Sequence, residues 1–563
     1  MKVVIVGGVA GGATAAARLR RLDEGAEIVV FERSGYVSYA NCGLPYYIGD
    51  VITDPSELTL QTPESFFSRF RVHMKVGHEV TAIHPERKTV SVTDLATGRE
   101  FEEGYDKLLL SPGARPTQPR LPGVGLDKLF TLRTVEDTFR IKDYMNRHHP
   151  RSAILAGGGF IGLELAENLR AQGMEVTIVQ RPRQLMNPFD PDMAALIHGE
   201  MRRHGVKLAL GHTVEGFEEK DGGVDVLLKE EAPLHADMVI LAIGVTPDTD
   251  LARRAGIELG LKGSIVVNDR METSLPDVYA VGDAVQVKHF VTGEDAVISL
   301  AGPANRQGRI AADNICGGDS RYPGSQGSSV IKVFDMTAAV TGISETAARR
   351  AGIAADKVIL SPMSHAGYYP GGKVMTMKVV FERETFRLLG AQIVGYDGVD
   401  KRIDVLAAAI HAGLKATGLK DLDLAYAPPY SSAKDPVNMA GFMIDNLAAG
   451  LVKQWYLEEE PGLPRDGSVT LLDTRTAGEY RRGHIEGFRN IPVDELRDRL
   501  GEIEPGKPVY LVCQSGLRSF IAGRILEGCG YEAYNFAGGF RYYDAVKNDR
   551  RLIEAAFDCG MDR

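Results

Sequence analysis

The feature that most restricts the fold of this chain is a pattern that occurs twice. KVVIVGGVAGGATAAARLRRL is followed by EIVVFER, and about 150 residues later SAILAGGGFIGLELAENL is followed by EVTIVQR. Each copy reads as an apolar strand, a glycine turn, an Ala/Leu-rich helix and a second apolar strand. Such a unit lets bare backbone approach a pyrophosphate, whose charge then rests on the N–H groups at the helix start. Two copies imply two dinucleotide-binding domains. In the first, Gly7 and Gly12 hold the outer positions of the G-x-G-x-x-G spacing, with Gly8 and Gly11 beside them and Val9 in the middle. The second is complete, with Gly157, Gly159 and Gly162. The second strand of the first copy ends at Glu32, followed by Arg33, and an acid there suits a ribose diol. The matching position in the second copy is Gln180, followed by Arg181 and Arg183. Gln with two arginines does not repel a 2′-phosphate, which leaves NADPH open beside NADH. A solvated surface pair of arginines fits the same residues.

The chain has 563 residues, too many for one core, so three or four domains are expected. The net charge is −10 with no long basic run, which argues against nucleic acid as a partner. No apolar stretch approaches the ~20 residues that span a bilayer, so no membrane association is expected. The N-terminal VVIV runs straight into a glycine turn and therefore reads as a buried strand, not a secretion signal. The five cysteines, at 42, 316, 513, 529 and 559, are odd in number and widely spaced. They argue for a reducing, cytoplasmic setting and against a disulfide framework. No CxxC pair or His/Cys cluster suggests a metal. From about 325 to 450 the pattern changes to alternating runs such as KVMTMKVVF, a helical stretch DVLAAAIHAGL, and the Pro/Tyr-rich loop LAYAPPYSSAKDP. A third region begins near Leu451, where an acidic, Pro-rich stretch, LEEEPGLPRDG, separates an opening run, LVKQWYL, from VTLLDTRTAGEY, and a short α/β module follows to the C-terminus.

Further motifs carry a family resemblance. TSLPDVYAVGDA, residues 273–284, resembles the second FAD signature of flavoprotein disulfide reductases with two dinucleotide-binding domains. The resemblance implies that Asp283 holds the ribityl chain and that Ala301 belongs to the cofactor site. YDKLLLSPGARP, residues 105–116, resembles the strand and turn between the two nucleotide domains. SYANCGLPYYIG resembles the single-cysteine branch, which includes coenzyme A-disulfide reductases and NADH oxidases and peroxidases. Ala10 stands where the oxidase and peroxidase members generally carry a histidine, which favours the CoA-linked members. Arg18 and Arg21 share a helix face and could grip CoA phosphates, although a solvated basic face would look the same. The resemblance further implies CoA contacts from Ser38, Asn41, Asn305 and Arg309. It also implies that Tyr368 and Tyr426 reach the thiol from the partner subunit of a homodimer; interface packing is the other reading of these two tyrosines.

The C-terminal stretches VTLLDTRTAGEYRRGHIEGFRNIP and VYLVCQSGLRSFIAG resemble a rhodanese domain. The run VYLV delivers Cys513 to a loop, and Ser519 is expected to begin a helix. Between them Gln514, Ser515, Gly516, Leu517 and Arg518 can turn their N–H groups inward. Such a ring favours a thiolate and a bound anion, here a persulfide. Four residues separate Cys513 from Arg518, where cysteine phosphatases have five, and the tighter loop suits a single sulfur atom. Asp473, Arg475 and His484 are expected to shape the module, and Cys316, Cys529 and Cys559 to be ordinary packing or surface thiols.

The expected architecture is α/β. An FAD domain spans 1–112 and 247–322, and an NAD(P) domain spans 113–246. An α+β dimerisation domain follows at 323–450, with a rhodanese-like domain at 451–563. The expected cofactors are FAD and NAD(P)H, with coenzyme A as substrate or carrier. A lone Cys42 thiolate can attack a substrate S–S bond and keep one fragment, so the second sulfur comes from the substrate. With Cys513 in the same chain, the expected substrates are CoA persulfide, polysulfide or CoA disulfide. The rivals are an NADH oxidase or peroxidase using a Cys42 sulfenic acid, and a sulfurtransferase with a flavin-based redox-sensing module.

Overall fold

The computed structural model describes residues 1–558, so Cys559 lies outside them. The chain divides into two compact units, Met1–Arg183 with Gly205–Gly327 and Gln184–His204 with Ser328–Arg563.

The first unit holds two parallel five-stranded sheets. In one, Lys2–Val6 lies between Glu27–Glu32 and Lys107–Leu110, and the sheet extends to His73–Val76 and Val278–Ala280. In the other, Ser152–Ala156 lies between Glu175–Gln180 and Met238–Leu241, and the sheet extends to Lys207–Leu210 and Leu129–Thr131. Four strands of each sheet share one order, as the duplicated sequence pattern predicts; the fifth, at the edge, is the last of its sheet in the chain in one case (Val278–Ala280) and the first in the other (Leu129–Thr131). After their first residues, Lys2 and Ser152, their central strands are apolar, because helices cover parallel sheets on both faces. The helices Ala10–Leu22 and Phe160–Ala171 start directly after the glycine turns. The first packs against Ala301–Ile315 so closely that a Cβ on Gly308 would stand 2.4 Å from the Gly11 carbonyl oxygen.

The second unit begins with an antiparallel sheet in the order Ser329–Val333, Met336–Gly342, Leu388–Gly395, Met375–Glu382, Ala355–Leu360. The polar alternation of KVMTMKVVF does not mark a solvent face: residues 375–381 are all buried, Thr376 and Lys378 included. The reason lies in the helix Pro191–Arg203, which the chain sends into this unit from the middle of the second nucleotide-binding pattern. Lys378 is 1% exposed and sits 2.9 Å from Asp192, 3.1 Å from Asp190 and 2.9 Å from Glu345. Burial opposes its charge, but these three carboxylates outweigh it and raise the ammonium pKa well above the usual lysine value.

The C-terminal part of this unit is a parallel sheet in the order Lys453–Trp455, Ala533–Phe536, Val509–Val512, Thr470–Asp473, Arg489–Asn490. Trp455, Phe536 and Tyr542 centre its core, which also takes in Ala195 and Ile359 from the preceding part of the unit. The Tyr542 hydroxyl donates to Asp192, and His198 pairs with Asp549 at 2.8 Å. Among the described residues no helix is long and apolar enough to cross a membrane.

Candidate active sites

In the first unit the glycine turns are held by the strand ends that the sequence singles out. The Glu32 carboxylate accepts from the N–H groups of Gly8 at 2.8 Å and Ser34 at 2.9 Å. The Gln180 side-chain amide oxygen accepts from the Gly158 N–H at 2.9 Å, so the second turn is braced in the same way. Gly7 and Gly157 have φ of +98° and +121°, and a Cβ at either would meet a carbonyl oxygen at 2.0 or 2.2 Å. A Cβ on Gly159, by contrast, meets nothing within 4 Å, so the middle of that turn faces open space.

Val9, Glu32, Arg33, Asn41 and Arg133 line one cavity of about 650 Å³. That volume, the glycine turn and the strand-end acid together fit a dinucleotide. Arg33 pairs with Asp248 at 2.7 Å, and Asp283 pairs with Arg133 at 2.7 Å. Arg133 was not singled out in the sequence; its partner Asp283 was, and lies 150 residues further on.

Cys42 follows Asn41 in a short turn, Asn41–Gly43, whose position is set on both sides. Ser38, at φ +47°, donates its N–H to the Gly8 carbonyl, and Leu44 and Ile48 anchor the next helix in the core. The Cys42 side chain is exposed. The protein around the thiol and the Glu164 carboxylate push its pKa up, while Arg133 pulls it down. Glu164 is itself pushed up to about 7, by burial and by Glu167. Nothing in the sequence marks it except its place on the helix after the second glycine turn.

Of the residues implied for CoA, Arg18 is paired with Asp313 at 2.7 Å, and Asn305 accepts from the Thr14 hydroxyl at 2.8 Å. Arg21, Asn305 and Arg309 are exposed, and Ala301 starts the helix that carries the last two. In the second unit the Tyr368 and Tyr426 hydroxyls are hydrogen-bonded at 2.7 Å and both side chains are exposed.

Cys513 is fully buried at the end of Val509–Val512. Its sulfur receives the Gly516 N–H at 3.1 Å and the Ser519 hydroxyl at 3.2 Å. The helix begins at Leu517, two residues before the expected start, because Gly516 at φ +95° turns the chain into it. Arg518 gives two nitrogens to Glu479, each at 2.7 Å, which together with Thr476 holds that carboxyl down at about 2. Arg475 is buried against Asp473, stacks over Phe540 at 3.9 Å and reaches the Gln514 side chain at 3.4 Å. Ser515 lies beside Gly539, where a Cβ would come within 2.6 Å of the Ser515 nitrogen. His484 stacks on Tyr480 at 3.9 Å. Cys316 is half-buried and Cys529 exposed.

No metal ligands stand out in the sequence, but Glu200, His204 and Asp335 bring ligand-type atoms within 4.8 Å of one another. Glu200 is already paired with Arg203 at 2.6 Å and accepts from Tyr396 at 2.9 Å.

Residues 1–308 match the family described as pyridine nucleotide-disulphide oxidoreductase, and residues 328–436 match its dimerisation domain. The chain belongs to this family. Residues 461–545 match the rhodanese-like domain. The chain is 37% identical to a coenzyme A disulfide reductase of Staphylococcus aureus over 442 residues, 78% of this chain and 99% of that one. The crystal structure of reduced Bacillus anthracis CoADR-RHD is 48% identical, covers 98% of both chains and superposes with a TM-score of 0.95. An NAD-dependent persulfide reductase from A. fulgidus is 36% identical over 96% of this chain and 100% of its own, with a TM-score of 0.90.

Proposed function

We propose that the chain is an FAD-dependent NAD(P)H oxidoreductase that reduces the S–S bond of CoA persulfide, polysulfide or CoA disulfide through Cys42. In this reading Cys513 delivers sulfane sulfur, and sulfide and coenzyme A are released. One observation carries it. A single thiol, Cys42, stands next to a residue lining the first cofactor cavity, and the same chain holds Cys513 with two donors on its sulfur. The relatives named coenzyme A disulfide reductase and persulfide reductase support the substrate class.

The Cys42 thiolate attacks one sulfur of the substrate bond. A Cys42–S bond forms, the substrate S–S bond breaks, and the departing sulfur takes the bonding pair as a CoA thiolate or hydrosulfide. Bound FAD supplies the two-electron relay from NAD(P)H that returns Cys42 to its thiolate. Glu164, poised near 7, is able to take or return a proton in the field of that thiol. The Gly7 turn and Glu32 suit FAD, and the Gly157 turn with Gln180 suits NAD(P)H. Arg18, Asn305 and Arg309, on one packed helix pair, suit the CoA phosphates. In a homodimer, supported by the dimerisation-domain match, Tyr368 and Tyr426 would approach the thiol of the partner subunit. The four described cysteines are free, which suits a reducing cytoplasm.

The test is a pair of variants. Cys513→Ser should spare CoA-disulfide reduction and slow polysulfide turnover, and Cys42→Ser should abolish both. Equal loss of both activities in Cys513→Ser would overturn the division of labour.

A further inference from the structure

The second unit contains a groove of about 600 Å³ that neither cysteine occupies. Its floor is apolar, formed by Ala195 and Leu196 of the Pro191–Arg203 helix, Val394 of the antiparallel sheet, Val374 just before its strand Met375–Glu382, and Ala545 of the last helix. Four cations line it, Arg202, Arg203, Lys373 and Arg541, against two acids, Glu200 and Asp549. Both acids are already compensated. Asp549 pairs with Arg202 and with His198, and Glu200 pairs with Arg203. Lys373 and Arg541 remain, exposed on the rim, and their side chains have no hydrogen-bonding or ionic partner among the described residues. The groove therefore offers an apolar bed with two uncommitted positive charges.

Its position ties it to Cys513. The Phe540 N–H donates to the Cys513 carbonyl at 2.7 Å, and the Arg541 N–H donates to the Gln514 carbonyl at 3.3 Å. The residue that lines the groove with positive charge is thus bonded through its backbone to the sulfur-carrying loop.

We propose that this groove holds the acceptor of the sulfane sulfur of Cys513: a thiol on a long, largely apolar arm that ends in phosphate, the chemical class of coenzyme A. Lys373 and Arg541 hold the phosphate, and the apolar floor beds the arm. The inference rests on the reading of Cys513 as a sulfur carrier. In the transfer step the acceptor thiolate attacks the outer sulfur of the Cys513 persulfide. A new S–S bond forms on the acceptor, the Cys513 S–S bond breaks, and the Cys513 sulfur leaves with the bonding pair. The Gly516 N–H and Ser519 hydroxyl are in place to receive that charge. The persulfide proton remains on the transferred sulfur, and no oxidant or reductant is consumed.

The experiment uses the full-length holoenzyme carrying Cys42→Ser, which removes the other thiol assigned to sulfur chemistry, and reads Cys513 apart from Cys529 by its own peptide. Cys513 is loaded with inorganic polysulfide, excess reagent is removed, and loss of one sulfur atom from Cys513 is followed by mass spectrometry. Coenzyme A and pantetheine, which lacks the phosphates, are compared as acceptors. We expect kcat/KM for coenzyme A to exceed that for pantetheine. That preference should fall about fivefold in Lys373→Ala or Arg541→Ala, the size of one exposed charge contact. Failure of Cys513 to take up sulfur would overturn the sulfur-carrier reading itself. Normal uptake with no preference for coenzyme A, or with a preference that survives both substitutions, would overturn the groove. A preference removed by Arg309→Ala in place of these two would put the acceptor on the first unit's helix pair, and would also overturn it.

Discussion

The Ser519 hydroxyl donates to the Cys513 sulfur across 3.2 Å, and both groups are fully buried. A hydrogen bond to a charged acceptor away from water contributes about 1.5–3 kcal/mol. Ser519→Ala should therefore slow sulfur transfer from Cys513 by roughly tenfold or more. Reduction of CoA disulfide, which in the proposed scheme does not use Cys513, should continue at its normal rate. Stopped-flow transfer assays beside steady-state NADH oxidation would check both.

The second glycine turn separates binding from folding. Gly159→Ala adds a methyl that meets no protein atom within 4 Å, so the melting temperature should hold while KM for NAD(P)H rises about tenfold. Gly162→Ala adds one that would stand 2.1 Å from the Gly157 carbonyl oxygen, so that variant should lose folded protein. Equal behaviour of the two variants would contradict the assignment of this turn to the nicotinamide cofactor.

Glu164 has a pKa raised from 4.5 to about 7, so it binds a proton more tightly in the folded chain than in the unfolded one. The resulting penalty is absent below about 4.5, grows as pH rises, and is complete above about 7. Glu164→Gln should be more stable than the parent by about 2 kcal/mol at the alkaline end, after discount for partial exposure, and equal to it in acid. The substitution also removes a negative charge acting on Cys42. Alkylation of Cys42 in the reduced holoenzyme should then begin at lower pH than in the parent.

Lys378 neutralises three buried or half-buried carboxylates, and Lys378→Ala leaves them facing one another. Breaking such a buried set by removing one partner costs about 3–5 kcal/mol. The chain has one tryptophan, Trp455, buried in the second unit. The denaturant midpoint read from its fluorescence should drop accordingly.

Local spacing and long-range pairing differ in how far they could be read from the residues. The glycine turns and the Cys513 loop were legible because close backbone approach dictates small residues at fixed offsets. Glu32 and Gln180 were legible as strand ends, although their bonds to the turn N–H groups depend on the folded turn. Lys378 looked like the polar side of an alternating strand. Its partner Asp192 lies 186 residues away, and no local pattern encodes that pairing. Arg518 likewise looked like a member of the sulfur loop, yet its guanidinium is committed to Glu479, 39 residues earlier. Glu164 carries no motif at all, since its importance comes from a helix face turned toward the region of Cys42.

The excursion of Gln184–His204 means that the C-terminal module is not an interchangeable cassette. Truncating the chain near Leu451 would bare Ala195 and Ile359 and strip His198 of Asp549. A shortened flavoprotein would need a re-engineered outer surface at those points, and a grafted module would need that surface restored before it could seat.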